Sequence, residues 1–176
     1  MKPDWLAAGL ERLRRGGVAA VRVERLAADL GISKGGFYWH FANREALLEE
    51  LLQYWGREMT DAEFERVAAL EGGLAHRLMA LARDVLEHGM GRYDPAIRAW
   101  ARGDRKVAAT VAQVDRRRVR ALAAFFQEAG FSPVEARTRA RLFYAFLLGE
   151  PQVRAPAREP GELARMVAIV AYRASK

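Results

Sequence analysis

The chain has no cysteine, only six prolines and three histidines in 176 residues, and no uninterrupted apolar run beyond about seven residues. Each scarcity removes a class of protein. Without cysteine there is no disulfide scaffold, no thiolate metal site and no cysteine nucleophile, which is the composition a reducing compartment permits. The apolar runs fall far short of the ~20 residues a membrane-spanning helix needs. Met1-Lys2-Pro3-Asp4-Trp5 offers no apolar core with a small-residue cleavage site, so no export signal is expected and the reading is a soluble, cytoplasmic protein. The histidines, His40, His76 and His88, stand 36 and 12 residues apart, which matches neither an H-x₃-H nor an HExxH ligand spacing, and no paired carboxylates accompany them. Glycine-rich phosphate loops and a serine in a nucleophile-elbow context are also missing. No enzyme, metal or cofactor is expected.

What is abundant is arginine. The 29 bases outnumber 22 acids, giving a formal charge of +7, and such a balance makes nucleic acid the first partner to consider. The excess is unevenly placed. Residues 1–55 hold 8 bases and 7 acids, and residues 56–176 hold 21 and 15. Within residues 14–44, however, Arg14, Arg15, Arg22, Arg25, Lys34 and Arg44 face only Glu24 and Asp29.

Apolar residues recur at helical spacing almost throughout, and no segment shows the sustained alternation of a strand, so the fold class is all-α. Glycine- and proline-bearing breaks divide the chain into about nine helices. Three short ones come first. The fourth, from Asn43 to roughly Leu70, begins with a capping Asn and carries Leu47, Leu48, Leu51, Leu52, Trp55 and Met59 on one broad face. A domain boundary is expected within it, separating residues 1–55 from residues 56–176. Further helices are expected from Gly73 to His88, around Ala96 to Ala101, and over Asp104–Ala129, Pro133–Leu148 and Gly161–Ala174.

Val23 to His40 reads Val-Glu-Arg-Leu-Ala-Ala-Asp-Leu-Gly-Ile-Ser-Lys-Gly-Gly-Phe-Tyr-Trp-His, with the spacing of a helix-turn-helix. Ala27 is small where two helices cross, and Gly31 sits at the turn, where a positive φ is accessible without a Cβ. Leu26, Leu30, Ile32 and Phe37 supply the apolar contacts. Ser33 can cap the second helix or turn its hydroxyl to a phosphate. After it come Lys, two Gly, Tyr, Trp and His, small and then aromatic, a pattern that admits backbone to a groove and offers contacts to bases or phosphates. Phe37 and Phe41 are expected in the core.

Gly17, Leu26-Ala27, Gly31-Ile32-Ser33-Lys34-Gly35, Phe37-Tyr38-Trp39-His40-Phe41 and Asn43-Arg44-Glu45-Ala46-Leu47-Leu48 together resemble the N-terminal signature of TetR-type (tetracycline-repressor family) transcriptional regulators. The likeness covers roughly residues 5–55. It implies an all-helical homodimer whose three-helix N-terminal domain docks in the major groove of a double-stranded, pseudo-palindromic operator. The C-terminal domain would then bind an effector and dimerise, and the function would be that of a ligand-responsive repressor. By the same likeness Lys34, Gly35, Tyr38 and Trp39 take recognition-helix positions, Ser33, Tyr38 and His40 phosphate contacts, and Arg44 the place of the usual Lys opening the fourth helix. Arg22 stands where a Ser or Thr cap is usual and is expected to reach phosphate by charge. Gly36 replaces a Thr or Asn, which removes one base contact, and the arm before Trp5 is short.

Beyond the motif, Leu142 to Leu148 and Met166 to Tyr172 are apolar all round, which asks for cover on more than one side. Phe143, Phe146, Leu147, Val167 and Val170 are the expected dimer contacts. Leu86, Tyr93, Trp100, Leu122, Phe125 and Tyr144 are the expected lining of a pocket for a small apolar or aromatic effector. The clusters Arg116-Arg117-Arg118 with Arg120, and Arg137, Arg139 and Arg141, are read as solvated surface salt-bridged to Asp115, Glu128 or Glu135. Two other functions fit parts of this pattern: a helical enzyme or small-molecule carrier that keeps the N-terminal fold without DNA function, and an adaptor using the arginine-rich helices on a protein or membrane surface.

Overall fold

The computed structural model describes residues 1–153 and 158–173, except for the Met59 side chain. Met59 and Ala174, both expected within helices, therefore lie outside the description. Ten α-helices and no strand occur among the described residues: α1 Lys2–Gly16, α2 Val23–Leu30, α3 Lys34–Tyr38, α4 Arg44–Gly56, α5 Ala62–Ala68, α6 Leu74–Leu86, α7 Asp94–Ala101, α8 Arg105–Glu128, α9 Pro133–Gly149 and α10 Glu162–Ala171. No described helix is long and apolar enough to cross a membrane.

The count exceeds the expected nine because the long fourth helix is not one regular helix. Between α4 and α5, Arg57–Asp61 winds as a π-helical turn. Apolar periodicity tolerates one such wide turn without changing the buried face, so sequence spacing does not reveal it. The start is as expected: the Asn43 side chain accepts from the Ala46 N–H at 2.8 Å. Elsewhere the ends follow local chemistry. Asp104 Oδ1 accepts from the Lys106 and Val107 N–H groups at the start of α8. Ser132 and Glu135 form a reciprocal capping box on α9, with Pro133 in its first turn.

The chain forms two compact units. The first is Met1–Thr60 with Arg92–Gln113, and the second is Asp61–Gly91 with Val114–Lys176. By compactness, then, α7 and the beginning of α8 go with the N-terminal helices, whereas periodicity placed the division once, near residue 55. The reason is long-range packing. Ile97 of α7 is fully buried, α7 lies against α1, and the Trp55 indole N–H donates to Asp94 at 2.7 Å in the buried interior.

In the first unit, Trp5, Leu10, Leu13, Leu26, Phe37, Leu47, Leu51 and Trp55 are almost wholly buried. Each such side chain contributes about 1.5–3 kcal/mol by leaving water. Gly9 lets α1 and α4 approach, since a Cβ there would stand 3.0 Å from the Leu51 methyls. In the second unit Val67, Leu78, Leu81, Leu122, Phe126, Phe143, Leu147, Leu163 and Val167 form one apolar core.

Candidate nucleic-acid interface

The helix-turn-helix is built by its apolar half. Trp5 of α1 meets Phe37 edge-on at 5.4 Å, and Phe37 packs on Phe41 at 5.2 Å. Both phenylalanines are buried, as their place in the motif requires. Gly31 ends α2 in the left-handed conformation, φ 66° and ψ 27°, and the Ile32 N–H reaches back to the Ala27 carbonyl at 3.0 Å. A residue with a Cβ would be strained there, so the reversal between α2 and α3 rests on this glycine. Arg12 of α1 grips Asp29 of α2 through two hydrogen bonds, a clamp that the apolar pattern did not indicate.

With Phe37 held inward, helical geometry turns its neighbours out. Tyr38 is 57% exposed and Trp39 88%, and Arg22, Ser33, Lys34, Gly35 and His40 are exposed as well. These six and Tyr38, with half-buried Gly36, lie on one continuous stretch apart from Arg22. Ser33 occupies the N-cap position of α3, but its hydroxyl makes no capping bond. Gly35 and Gly36 face open space: a Cβ would meet only Ser33 Oγ at 3.6 Å or Ile32 Cδ1 at 4.0 Å. Packing within the protein does not ask for glycine at either position. Arg22 precedes α2 and its Nε–H donates to the Ala19 carbonyl at 3.2 Å.

Two basic residues have partners within the protein. The Lys34 ammonium contacts Glu24 Oε1 at 2.5 Å, and this pairing holds the Glu24 carboxyl below its usual range and the Lys34 amine above its own. Arg44 is half-buried and points into the domain. Its Nε–H donates to the Val21 carbonyl at 2.7 Å and its Nη2 to the Val18 carbonyl at 2.6 Å. It therefore ties the link between α1 and α2 to the start of α4, giving a partner to the Val21 carbonyl and a second one to the Val18 carbonyl, which also accepts from the Val21 N–H at 3.2 Å. The likeness gives Arg44 the place of the usual Lys opening the fourth helix; the observed side chain is a strut.

The expected effector residues divide between the two units, with Leu86, Leu122, Phe125 and Tyr144 in or against the core of the second. Tyr93 is buried in the first unit, where Trp100 lines a pocket of about 490 Å³ with Leu13, Arg14, Val18 and Pro95. Leu122 and Phe125 are in the core of the second unit and Leu86 packs on that core. Of the six, only Tyr144 lines the larger cavity, a groove of about 660 Å³ between α8 and α9. The dimer expectation is corrected in part. Phe143, Leu147 and Val167 are buried within their own chain and have no surface to offer a second one. Phe146 and Val170 are partly buried, and the outward large apolar residues of these helices are Val134, Leu142 and Ile169, with Tyr172 just beyond α10. Apolarity all round a helix does not say which side the rest of the chain takes.

Residues 6–51 match the profile of the family described as "Bacterial regulatory proteins, tetR family". A class G tetracycline repressor protein of Vibrio anguillarum is 40% identical over 57 residues, which are 32% of this chain and 27% of that repressor. The chain thus matches about a quarter of that relative's length. In fold the likeness is nearly complete. The reduced form of NemR from E. coli superposes with a TM-score of 0.76 at 18% identity, over 96% of this chain and 95% of NemR. AibR, solved in complex with isovaleryl coenzyme A and operator DNA, superposes with a TM-score of 0.65 at 20% identity, over 96% of each. Residues 6–51 thus carry the helix-turn-helix of the tetR family of bacterial regulatory proteins, set in an all-helical fold that the chain shares with these regulators.

Proposed function

We propose that this protein is a cytoplasmic, ligand-responsive transcriptional repressor that binds a pseudo-palindromic operator as a homodimer. The observation that carries the reading is the outward row Ser33, Lys34, Gly35, Tyr38, Trp39 and His40 on and flanking a short helix anchored by buried Phe37. Two glycines that the fold does not require let the backbone approach a groove closely. Tyr38 and Trp39 supply large side chains to base edges, thymine methyls and sugar–phosphate, and Ser33 and His40 supply hydrogen bonds to phosphate. Arg22 adds charge at the edge of this surface, and Arg44 acts through the position of the α1–α2 link.

The homodimer is supported by Leu142 and Ile169, 62% and 73% exposed on α9 and α10. Exposed apolar side chains on the two final helices, with Phe146 and Val170 beside them, suit an isologous four-helix interface. Two recognition helices would then meet half-sites about one DNA turn apart. A ligand releases the operator only by binding better to the dimer whose recognition helices are not at that spacing. The complex of AibR with a ligand and operator DNA supports a regulator of this kind. Members of this family are generally not enzymes, and we read this chain in the same way.

Selection of bound sequences from random DNA, followed by footprinting, tests the proposal. The expected product is a palindrome with two protected half-sites; a pool with no enrichment refutes it. Tyr38→Ala should weaken binding to the selected site by about 1–3 kcal/mol with the dimer intact.

A further inference from the structure

The groove between α8 and α9 is lined by four arginines, two on each wall: Arg116 and Arg120 of α8, and Arg137 and Arg141 of α9. Within each wall the pair is spaced i, i+4, so both guanidinium groups stand on one face a single turn apart. The third arginine of the run goes elsewhere, as does the second. Arg117 pairs with Asp61 at 2.8 Å, and Arg118 is buried, with its Nη1 3.4 Å from the Tyr144 hydroxyl. Three consecutive residues thus point three ways, and only Arg116 joins the groove.

The carboxylates expected to neutralise these arginines are engaged with other groups. Glu128 pairs with Arg77 at 2.6 Å, and Glu135 closes the capping box with Ser132. The one carboxylate lining the groove, Asp115, accepts from the Tyr144 hydroxyl at 2.7 Å. Among the described residues no ion pair forms at Arg116, Arg120, Arg137 or Arg141. Beneath and between them the lining is apolar: Val119, Ala123, Ala145 and Leu148.

We propose that the α8–α9 groove is a binding site for a small amphipathic organic anion, in which phosphate or carboxylate groups meet the two arginine pairs and an apolar body lies on the Val119–Leu148 floor. Guanidinium groups recognise such oxyanions through paired N–H donors. The volume is that of a small-molecule site. Two copies of the chain meeting groove to groove would bring eight guanidinium groups together, so charge argues against self-association through this face. The site goes beyond the apolar or aromatic effector inferred from sequence, because the charge here asks for an anion. Its link to operator release rests on the proposed regulator; its binding of an anion does not.

The test uses the full-length protein and three probes: 1-naphthyl phosphate, uncharged 1-naphthol and inorganic pyrophosphate. Calorimetric titration should show 1-naphthyl phosphate binding at least tenfold more tightly than 1-naphthol, with pyrophosphate competing. Arg120→Gln with Arg141→Gln should reduce naphthyl phosphate affinity at least tenfold while leaving the thermal midpoint and oligomeric state unchanged. Hydrogen exchange on the unsubstituted protein gives a readout independent of how the variant folds: 1-naphthyl phosphate should protect segments within 116–127 and 137–148. Equal binding of 1-naphthol, undiminished binding by the variant, protection confined to other segments, or a change in oligomeric state on removing the charges would each overturn the assignment. Operator binding is measured separately by DNA titration. Anion binding without operator binding would refute the regulator and keep the site; operator binding without anion binding would do the reverse.

Discussion

Arg44 shows how one side chain can resemble a DNA contact and act as something else. Its guanidinium bridges two loop carbonyls at 2.6 and 2.7 Å, and hydrogen bonds to a charged donor contribute about 1.5–3 kcal/mol each when both partners are well placed. Arg44→Ala is therefore expected to lower unfolding stability by roughly 1–3 kcal/mol, measurable by urea denaturation, and to weaken operator binding through displacement of the α1–α2 link. A variant with full stability but a flattened salt dependence of DNA binding would instead make Arg44 a direct phosphate contact. Lys34 invites the complementary experiment. Glu24 occupies its ammonium in the free protein, and exposed ion pairs contribute about 0.2–1 kcal/mol. Glu24→Gln should then tighten operator binding by about two- to fivefold at low salt, because Lys34 no longer has to leave a partner and a negative charge is removed from the surface. Unchanged or weaker binding by fluorescence anisotropy would show that Lys34 does not approach the DNA.

At the scale of the element, α1 and α2 are held by acids whose protonation is shifted by arginine. Arg14, with help from Arg15, holds Glu11 down to about 2, and Arg12 holds Asp29 below its ordinary value. A carboxyl with a lower pKa folded than unfolded adds stability above its unfolded value, and loses that contribution as pH falls towards the folded one. The window here runs from about 4.5, the ordinary value for Glu11, down to about 2. Thermal midpoints should fall across that interval, and Glu11→Gln should make the fall shallower; a midpoint independent of pH over that range would contradict the pairing. The π-helical turn at Arg57–Asp61 belongs to this scale as well. It lies where the first compact unit gives way to the second, at Thr60 and Asp61.

For the whole molecule, the final two helices divide their apolar residues between a core and an outer face. Phe143 is fully buried, so Phe143→Ala should cost about 3–5 kcal/mol in stability. Ile169→Glu, at an exposed position, should leave helicity and folding unaffected but dissociate the dimer in sedimentation velocity. If Ile169→Glu remains dimeric, the proposed four-helix interface is wrong. The two substitutions separate the roles that sequence periodicity merged, since both residues lie in segments apolar on every side.

The sequence by itself determined the helical class, the helix-turn-helix at residues 23–40, the left-handed turn at Gly31 and the inward Phe37 and Phe41. These follow from local rules: helical spacing, a conformation that disfavours a Cβ, and the alternation of apolar and polar faces within a few turns. The outward set Lys34 to His40 was legible for the same reason, because knowing that Phe37 points in fixes its neighbours. Tertiary structure alone decided the rest. Whether Arg44 met a phosphate or a carbonyl depended on loop atoms more than twenty residues away. Whether Phe143 faced the core or a second chain depended on which side α6, α8 and α10 occupied. The arginines of α8 and α9 became one charged groove only when two helices were laid side by side, since charge, unlike helical propensity, acquires its meaning from neighbours that the chain brings together by folding.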